Sequence, residues 1–462
     1  MESQTKSSNE ELDKAAGDPP ADSSVVDSGA RGNGGRGPGS FGGGSSGFSL
    51  RNLRTLTSFK SGTFRLYFAA MIGQMAAMNM QMIARSLLVF QLTGSGTALG
   101  VMALGNALPM LFFSLFGGVI ADRVQKKYVL LWGQAGNGVV SLVVAFALVS
   151  GLMSEERSGS WILLVIAALF QGTIMGLMMP SRQAMIAEIV GEEDLMNAVA
   201  LNTFGMNALR LLAPVPVGFM IYVWDYGAVY FAMTAMYAMA TFFVALMPKT
   251  GTITLQGKGA IQDVKDGLVY VRNEPTLLLI LVVTFIVVLL SMPYMMLLPA
   301  LTEDVLLVDS RGFGVLLSIS GIGAMAGSLV LASLPNKRRG LMLMLGSLVL
   351  GIALIGLFFS SSWFPSLSWP LALFFIVFVG LGQTTRMTLG NTLLQYYVKE
   401  EFRGRVMALY FMEFGLTSFG VFFTGVLTDV IGVQWSVGGL AIILVIFCIF
   451  VLIFSPRLRK LD

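Results

Sequence analysis

The chain has 462 residues, of which 55% are apolar and only 12% are charged, so it is not a soluble globular protein. It has no histidine and one cysteine, Cys448, which excludes histidine metal sites, Ser-His triads, histidine proton relays and intrachain disulfides. Its net charge of +4 is spread among apolar runs and does not indicate nucleic acid, so we predict a polytopic membrane protein that is not an enzyme and uses no cofactor or metal.

Residues 1–60 form an aperiodic mixture of Gly, Ser, Asp and Glu that includes a Gly-rich stretch at 34–39. Such a segment cannot bury enough apolar surface to order itself. The first apolar run begins near Phe64 and is too long for a signal peptide. We therefore predict a disordered cytoplasmic tail over residues 1–60.

Twelve apolar runs follow the tail and predict an all-α membrane protein with twelve transmembrane helices. Each run is long enough to span about 30 Å of hydrocarbon as a helix, and none alternates with period 2 as a membrane barrel would. Their cores lie at 64–90, 97–121, 128–151, 161–180, 197–223, 227–247, 276–300, 311–334, 340–360, 369–396, 405–428 and 434–455.

Basic residues indicate the orientation of these helices. The segments that would be cytoplasmic hold 21 Lys and Arg residues, whereas the opposite loops hold only Arg157 and Arg311. Because basic residues are retained on the cytoplasmic side, this bias predicts that both termini lie inside. The protein is expected in the plasma membrane, or the inner membrane of a Gram-negative cell.

The connection at 249–275 separates six runs at 61–248 from six at 276–456 and leaves a short cytoplasmic C-terminus at 457–462. Apolar residues at helical spacing around 261–269 predict an amphipathic helix on the cytoplasmic surface. The halves also resemble each other, since Gly100-Val101 recurs as Gly314-Val315 and Val190-x-Glu192-Glu193 recurs as Val398-x-Glu400-Glu401. This repetition favours a duplicated transporter.

The turn after the second run carries the most specific pattern, Gly118-x-x-x-Asp122-Arg123-x-x-Lys126-Lys127. It resembles the loop between helices 2 and 3 of the major facilitator superfamily, although Gln125 stands where that family usually has glycine. The resemblance implies two pseudo-symmetric six-helix bundles. It also implies a gating role for this loop, with Asp122 docking near the start of helix 11, where Arg403 and Arg405 are candidate partners.

Further stretches resemble one subgroup, that of enterobactin exporters, macrolide efflux pumps and transmembrane secretion effectors. They are 90–95, 180–184, 197–202, 210–214, 312–317, 391–395 and 403–407. Ala168 replaces the arginine of the helix-4 motif of proton antiporters, and 213–218 follows the helix-5 motif only in part. These departures weaken the case for proton-driven export without removing it.

Charged residues inside the spans are candidates for the transport site, because charge in hydrocarbon usually faces a cavity or a partner. Arg85, Arg210 and Arg386 are the basic ones. Helix 1 adds a polar stripe of Gln74, Gln81 and Arg85, with Asn79 on an adjacent face, and Asn106 lies in helix 2. We predict substrate binding by Arg85, Arg210, Arg386, Gln74, Gln81 and Asn106. Hydrogen bonding to neighbouring helices is the alternative role for each amide.

Glu413 is the only acid well inside a predicted span, so it is the candidate for proton coupling. Burial favours its neutral form, and a nearby arginine favours its charged form. Alternation between two such environments would couple transport to protons. A static ion pair with Arg386 or Arg210 is the equally open alternative.

The resulting functional hypothesis is export of a small siderophore-like or drug-like amphipathic compound by alternating access, with proton antiport and a role in multidrug resistance or siderophore export. The expected partners are the small-molecule substrate, protons and the lipid bilayer, and the chain is expected to act as a monomer. Two alternatives remain open, namely an importer or uniporter of the same fold, and a membrane receptor or scaffold that has lost transport.

Overall fold

The computed structural model describes residues 58–154, 156–157, 159–190, 192–249, 260–334 and 337–461. The predicted tail therefore lies outside the described residues except for 58–60. All regular structure in these ranges is helical. The helices are α1 Gly62–Thr93, α2 Gly96–Arg123, α3 Lys126–Val149, α4 Ile162–Ile189, α5 Glu192–Leu212, α6 Pro214–Leu246, α7 Ala260–Asn273, α8 Pro275–Ser291, α9 Pro293–Ala300, α10 Ser310–Ser333, α11 Arg339–Trp363, α12 Ser368–Tyr397, α13 Arg403–Phe411, α14 Glu413–Phe454 and α15 Pro456–Arg459.

Nine stretches within the described ranges are helical, long enough and apolar enough to cross a membrane. Two of them, Asn197–Leu246 and Gly415–Phe454, contain 50 and 40 residues, far more than the ~20 needed for one crossing. The helix α1 is not among the nine, because Gln74, Asn79 and Gln81 lower its hydropathy. The predicted all-helical membrane protein is confirmed.

Both long stretches break at a residue with the same unusual backbone conformation. Asp225 in α6 has φ 71° and ψ 172°, and Gly432 in α14 has φ 82° and ψ 157°. This region is essentially restricted to glycine, so Asp225 is strained by about 1–3 kcal/mol. The two breaks are 207 positions apart and fall between the predicted runs 5 and 6 and runs 11 and 12.

Proline divides two of the predicted runs, 197–223 and 276–300, into separate helices. The helix α6 begins at Pro214 and α9 begins at Pro293, each at the first helical position, where the missing N–H is not needed. In hydrocarbon such interruptions persist only where neighbouring protein covers the freed backbone groups. Both prolines are buried, which is consistent with this requirement.

Helices pack mainly within each half of the chain, here called the first half (58–249) and the second half (260–461). In the first half α1 and α3 pack on α6, and α2 packs on α4. In the second half α11 packs on α12 and α14, and α10 packs on α12. Two helix pairs join the halves extensively: α2 with α14, and α6 with α10. These two seams leave room between the halves.

The linker helix α7 packs against α13, near the predicted gate. Gly267 lies against the backbone of Arg405, and the Tyr270 ring stacks on Phe402 with centroids 4.1 Å apart. Arg405 also pairs with Asp266, Nη1 to Oδ2, at 3.9 Å. The connection between the halves is thus attached to the second half.

Candidate functional site

A cavity with about 450 Å³ of empty space, part of it open to solvent, lies between the two halves. Its walls come from α1, the α5–α6 junction, α9, α10 and α12. The residues that line it are Asn79, Met82, Arg210, Pro214, Tyr294, Met295, Leu317, Ser320, Gly321, Ala324, Gly380, Gln383 and Thr384. Because both halves supply the walls, relative movement of the halves would change the shape of the cavity.

Arg210 is the one charged side chain among these lining residues, and it is exposed. The second half contributes a hydrogen-bonded pair to the cavity wall, in which the Tyr294 hydroxyl donates to Gln383 Oε1 at 2.7 Å. The Gln383 amide nitrogen lies 3.6 Å from Met292 Sδ. The cavity therefore combines one cation, a phenol–amide pair and several apolar side chains, a composition typical of small-molecule sites.

An ion pair is buried next to this wall. Arg386 Nη1 lies 3.5 Å from Glu413 Oε2, and the two side chains are only 1% and 5% exposed. Arg386 is one helical turn after Gln383 on α12, which places the pair directly behind the cavity lining. Arg386 Nε and Nη1 and Glu413 Oε2 make no hydrogen bond to any described group. A buried ion pair with polar atoms that lack hydrogen-bond partners adds little stability, which makes these two residues candidates for a functional role.

Tyr410 lies one turn before Glu413, and its hydroxyl donates to the carbonyl oxygen of Met387 at 3.4 Å. The structure brings Arg386 and Glu413 together. This is one of the two ion pairs that the sequence left open for Glu413. Arg210 instead lines the cavity and is not part of this pair.

The predicted polar stripe of α1 faces the interior of the first half. Gln81 Nε2 donates to Gln171 Oε1 on α4, and Arg85 Nη1 donates to the same oxygen at 3.3 Å. Tyr237 on α6 lies within 3.5 Å of Gln81 Oε1. Gln81 and Arg85 are not among the residues that line the cavity, and both hydrogen-bond inside the first half. Arg85 Nε is buried without a hydrogen-bond partner among the described groups.

Two other predicted amides also lie away from the cavity. Gln74 is buried on α1, and the Asn106 side chain donates to the carbonyl oxygen of Ala168 on α4 at 3.4 Å. Asn79, one step off the predicted stripe, lines the cavity instead. Tyr294 and Gln383 were not predicted as site residues. Gln383 carried the same signal as Gln74, an amide inside an apolar run, and stands three residues before Arg386.

The predicted gate is described only in part. The surroundings of Gly118 and the side chains of Asp122, Arg123 and Arg403 lie outside the described part of the chain, so the proposed docking of Asp122 stays a prediction. Lys126 pairs with Glu188 at the end of α4. Lys127 donates to the carbonyl oxygens of Ala245, at 2.8 Å, and Met247 at the end of α6. Both lysines thus bind within the first half, and a cation at a helix C-terminus is electrostatically favourable.

At the opposite end of α2 the halves are held together by a contact that we call the acid clasp. Asp429 on α14 accepts hydrogen bonds from the Ser95 hydroxyl at 2.7 Å, from Gly96 N at 2.6 Å and from Thr97 N at 3.0 Å. The carboxylate thus caps the N-terminus of α2 across the seam, where helix dipole and free N–H groups favour an anion.

The second seam ends in a different contact, here called the cation clasp. The Arg311 guanidinium lies 3.6 Å from the centroid of the Tyr222 ring, and Arg311 Nε donates to Asp309 Oδ2 at 2.8 Å. Ser310 also donates to the carbonyl oxygen of Gly218 at 3.1 Å. A guanidinium over an aromatic face is attractive, so this contact too joins the halves.

The two seams repeat the same close backbone contact. A Cβ on Gly425 would collide with Gly96 O, and a Cβ on Gly218 would collide with Ser310 O. Gly218 and Gly425 are 207 positions apart, as are Tyr222 and Asp429 of the two clasps and the two helix breaks. Glycine at these positions lets the helices touch backbone to backbone across both seams.

Comparison with known proteins places these features in a family context. Residues 53–462 match the family model described as transmembrane secretion effector. The chain is 23% identical to the staphyloferrin A transporter of Staphylococcus aureus over 83% of this chain and 93% of that protein. It is 24% identical to macrolide efflux protein A of Streptococcus pyogenes, with coverage of 86% and 97%. It is also 24% identical to the enterobactin exporter of Shigella flexneri, with coverage of 75% and 80%.

Solved structures show the same fold at low sequence identity. A mutant form of the nucleoside transporter NupG superposes with a TM-score of 0.68 and 12% identity, covering 84% of this chain and 99% of that one. A bacterial homologue of the human lysosomal transporter Spinster superposes with a TM-score of 0.65 and 11% identity, covering 86% and 97%. These matches confirm the resemblance predicted from the loop after α2 and the stretches that follow it.

Proposed function

The chain belongs to the transmembrane secretion effector family of the major facilitator superfamily, and from that membership we propose that it exports a small amphipathic compound by alternating access. The family and the relatives are transporters, not enzymes. The observation that carries the proposal is the Arg210 cavity, which both halves line, together with the two clasped seams that join the halves at one end.

The proposed architecture has twelve crossings in two six-helix bundles, 61–248 and 276–456. Nine apolar stretches become eleven crossings when the two long ones are divided at Asp225 and Gly432, and α1 is the twelfth. The shared offset of 207 between breaks, seam glycines and clasps supports a duplicated unit. Nothing in this arrangement requires a second copy, so we propose a monomer.

The proposed orientation places both termini in the cytoplasm. Its support is the bias of basic residues, which survives although Arg182, counted as cytoplasmic from the sequence, lies inside α4. In this orientation the acid clasp and the cation clasp lie on the outer side. The described conformation is then closed to the outside, and export requires both clasps to open while the gate around Asp122 closes.

Proton coupling is proposed to use Glu413. The carboxylate is buried beside Arg386, and the Tyr294–Gln383 pair lies between this ion pair and the Arg210 cavity. A substrate that displaces Tyr294 or Gln383 would change the surroundings of Arg386, and through it the affinity of Glu413 for a proton. This gives a physical connection between the cavity and the one buried ion pair in the described helices of the second half.

The experiment that tests transport uses the full chain in proteoliposomes. Flux of staphyloferrin A, a macrolide and enterobactin is measured with and without an imposed pH gradient. We expect at least one compound to accumulate in vesicles that contain the protein and not in protein-free vesicles. Accumulation in the opposite direction would favour an importer. Specific binding without flux of any compound would instead favour a receptor or scaffold.

Replacing the buried carboxylate tests the coupling separately. E413Q keeps the shape of the side chain but cannot ionise, so we expect gradient-driven accumulation to fall at least tenfold while passive exchange of substrate persists. E156Q, an exposed acid in the α3–α4 connection, is the matched control. Undiminished accumulation by E413Q would reject Glu413 as the coupling residue and leave a carrier that uses another ion or none.

A further inference from the structure

The charge on the cavity wall indicates which substrates fit. Arg210 is exposed in the cavity, and no carboxylate belongs to the described lining residues. Glu413, behind the wall, is directed at Arg386 and is 5% exposed. An ammonium group in the cavity would therefore meet a guanidinium with no described acid to offset it.

The rest of the wall supplies the means to bind an anion. The guanidinium offers a planar set of donors that matches a carboxylate or a pair of phenolate oxygens. Ser320, Thr384 and the Tyr294 hydroxyl add neutral hydrogen-bonding groups. Charge-assisted hydrogen bonds are strengthened where water is partly excluded, as in a cavity between packed helices.

The remaining walls are apolar and adaptable. Met82, Met295, Leu317 and Pro214 line the cavity near Arg210. Methionine fits irregular apolar bodies because its chain is flexible and its sulfur is polarisable. The site thus has one charged point and an apolar remainder, the complement of an amphipathic ion with its charge at one end.

We propose that the Arg210 cavity selects organic anions, with a carboxylate or catecholate bound by Arg210 and an apolar or aromatic body on the methionine side. The proposal rests on the proposed transport function and names the substrate class of that site. It distinguishes two classes of substrate, because the site disfavours a cationic amine where it prefers a carboxylate.

Anion selection also has an electrical consequence. The cytoplasm is electrically negative relative to the outside. In the proposed orientation this potential favours both the exit of an anion and the entry of a proton. Both movements carry net positive charge inward, so the membrane potential assists each transport cycle. Export of an amine against the same potential would lose this assistance.

The test compares two fluorescent probes that share an apolar body, dansylglycine with a carboxylate and dansyl-ethylenediamine with an amine. Binding to the full chain in nanodiscs is measured by fluorescence enhancement and by competition with excess unlabelled probe. We expect the wild-type chain to bind the carboxylate at least tenfold more tightly than the amine. R210A should lose at least tenfold in affinity for the carboxylate, R210K should recover part of it, and R210E should reverse the preference.

R272A, an exposed arginine on α7, is the control and should bind as the wild type does. Retained amine binding by R210E shows that the variant is folded. Equal or tighter amine binding by the wild type, no carboxylate binding, or unchanged carboxylate binding by R210A would each overturn the proposal. Transport itself would still stand if the proteoliposome assay shows flux, so the two failures are distinguishable.

Discussion

The acid clasp should set how often the protein opens at its clasped end. Asp429 accepts three hydrogen bonds from the first turn of α2, at 2.6, 2.7 and 3.0 Å, and all of them cross between the halves. Loss of such a cap costs about 0.5–2 kcal/mol. Because Asp429 is exposed and therefore screened by solvent, the lower part of that range applies. We expect D429A to destabilise the closed end by about 1 kcal/mol, roughly a fivefold change in the ratio of closed to open molecules.

The assay is a pulsed-dipolar distance measurement between spin labels at the clasped end. Exposed Leu152 in the first half and Trp363 in the second half are suitable labelling sites, in a chain whose buried Cys448 is replaced by Ser. D429A should raise the longer-distance population about fivefold, and D429N should do so by less. E156Q, an exposed acid in the α3–α4 connection at the same end, is the control. A distance distribution unchanged by D429A would refute the inference that this carboxylate holds the end closed.

Three further predictions follow from the same geometry. G425A should push the halves apart, because its Cβ would collide with Gly96 O, and it should raise the open population in the distance assay, whereas G439A, which meets open space, should not. D225G should relieve backbone strain of about 1–3 kcal/mol, an effect partly offset because glycine makes the unfolded chain more flexible. The variant should be at least as stable as the wild type, so a lower unfolding midpoint in detergent titration would contradict this. Hydrogen bonding from Arg311 holds the pKa of Asp309 below its ordinary value, so its carboxylate is ionised throughout the neutral pH range. The contribution of Asp309 to the cation clasp is lost only as pH falls through that lowered pKa. The Leu152–Trp363 distance in E413Q, where Glu413 can no longer titrate, should therefore stay constant between pH 7 and pH 5. A distance that changes in this range would contradict the assignment.

The sequence was informative about where helices begin and end. Runs predicted at 197–223 and 227–247 meet at the strained Asp225, and the last two meet at Gly432, because polar and glycine residues interrupt apolar runs where the chain reverses. The breaks at Pro214 and Pro293 were not predicted as separate helices. A proline inside a long apolar run does not by itself reveal whether the helix continues through it.

The face of a helix could be predicted, but its neighbour could not. Spacing correctly grouped Gln81 and Arg85, yet Gln171 and Tyr237, far away in sequence, bind them inside the first half. The cavity side of α1 carries Asn79 instead. Periodicity places residues on a common side of a helix, whereas the packing of other helices decides whether that side meets protein, cavity or lipid.

The clasps lay beyond sequence reasoning for a related reason. Asp429 stands just after a predicted apolar run, and its position gives no sign of its partners Ser95, Gly96 and Thr97, which are more than 330 residues away. Glu413 was identified because an acid inside hydrocarbon is costly in any arrangement. Its pairing with Arg386 rather than Arg210 depends on how the helices that carry these residues pack, which the structure supplies.

The most direct test of the central claim measures both ends of the protein in the same samples. Labels at Leu152 and Trp363 report the clasped end, and labels at the exposed Lys249 and Ser333 report the opposite end. Combining D429A with G425A should lengthen the first distance and shorten the second in matching proportions of molecules, as a carrier with alternating access requires. Lengthening at both ends together, or a second distance that stays fixed while the first changes, would contradict the account.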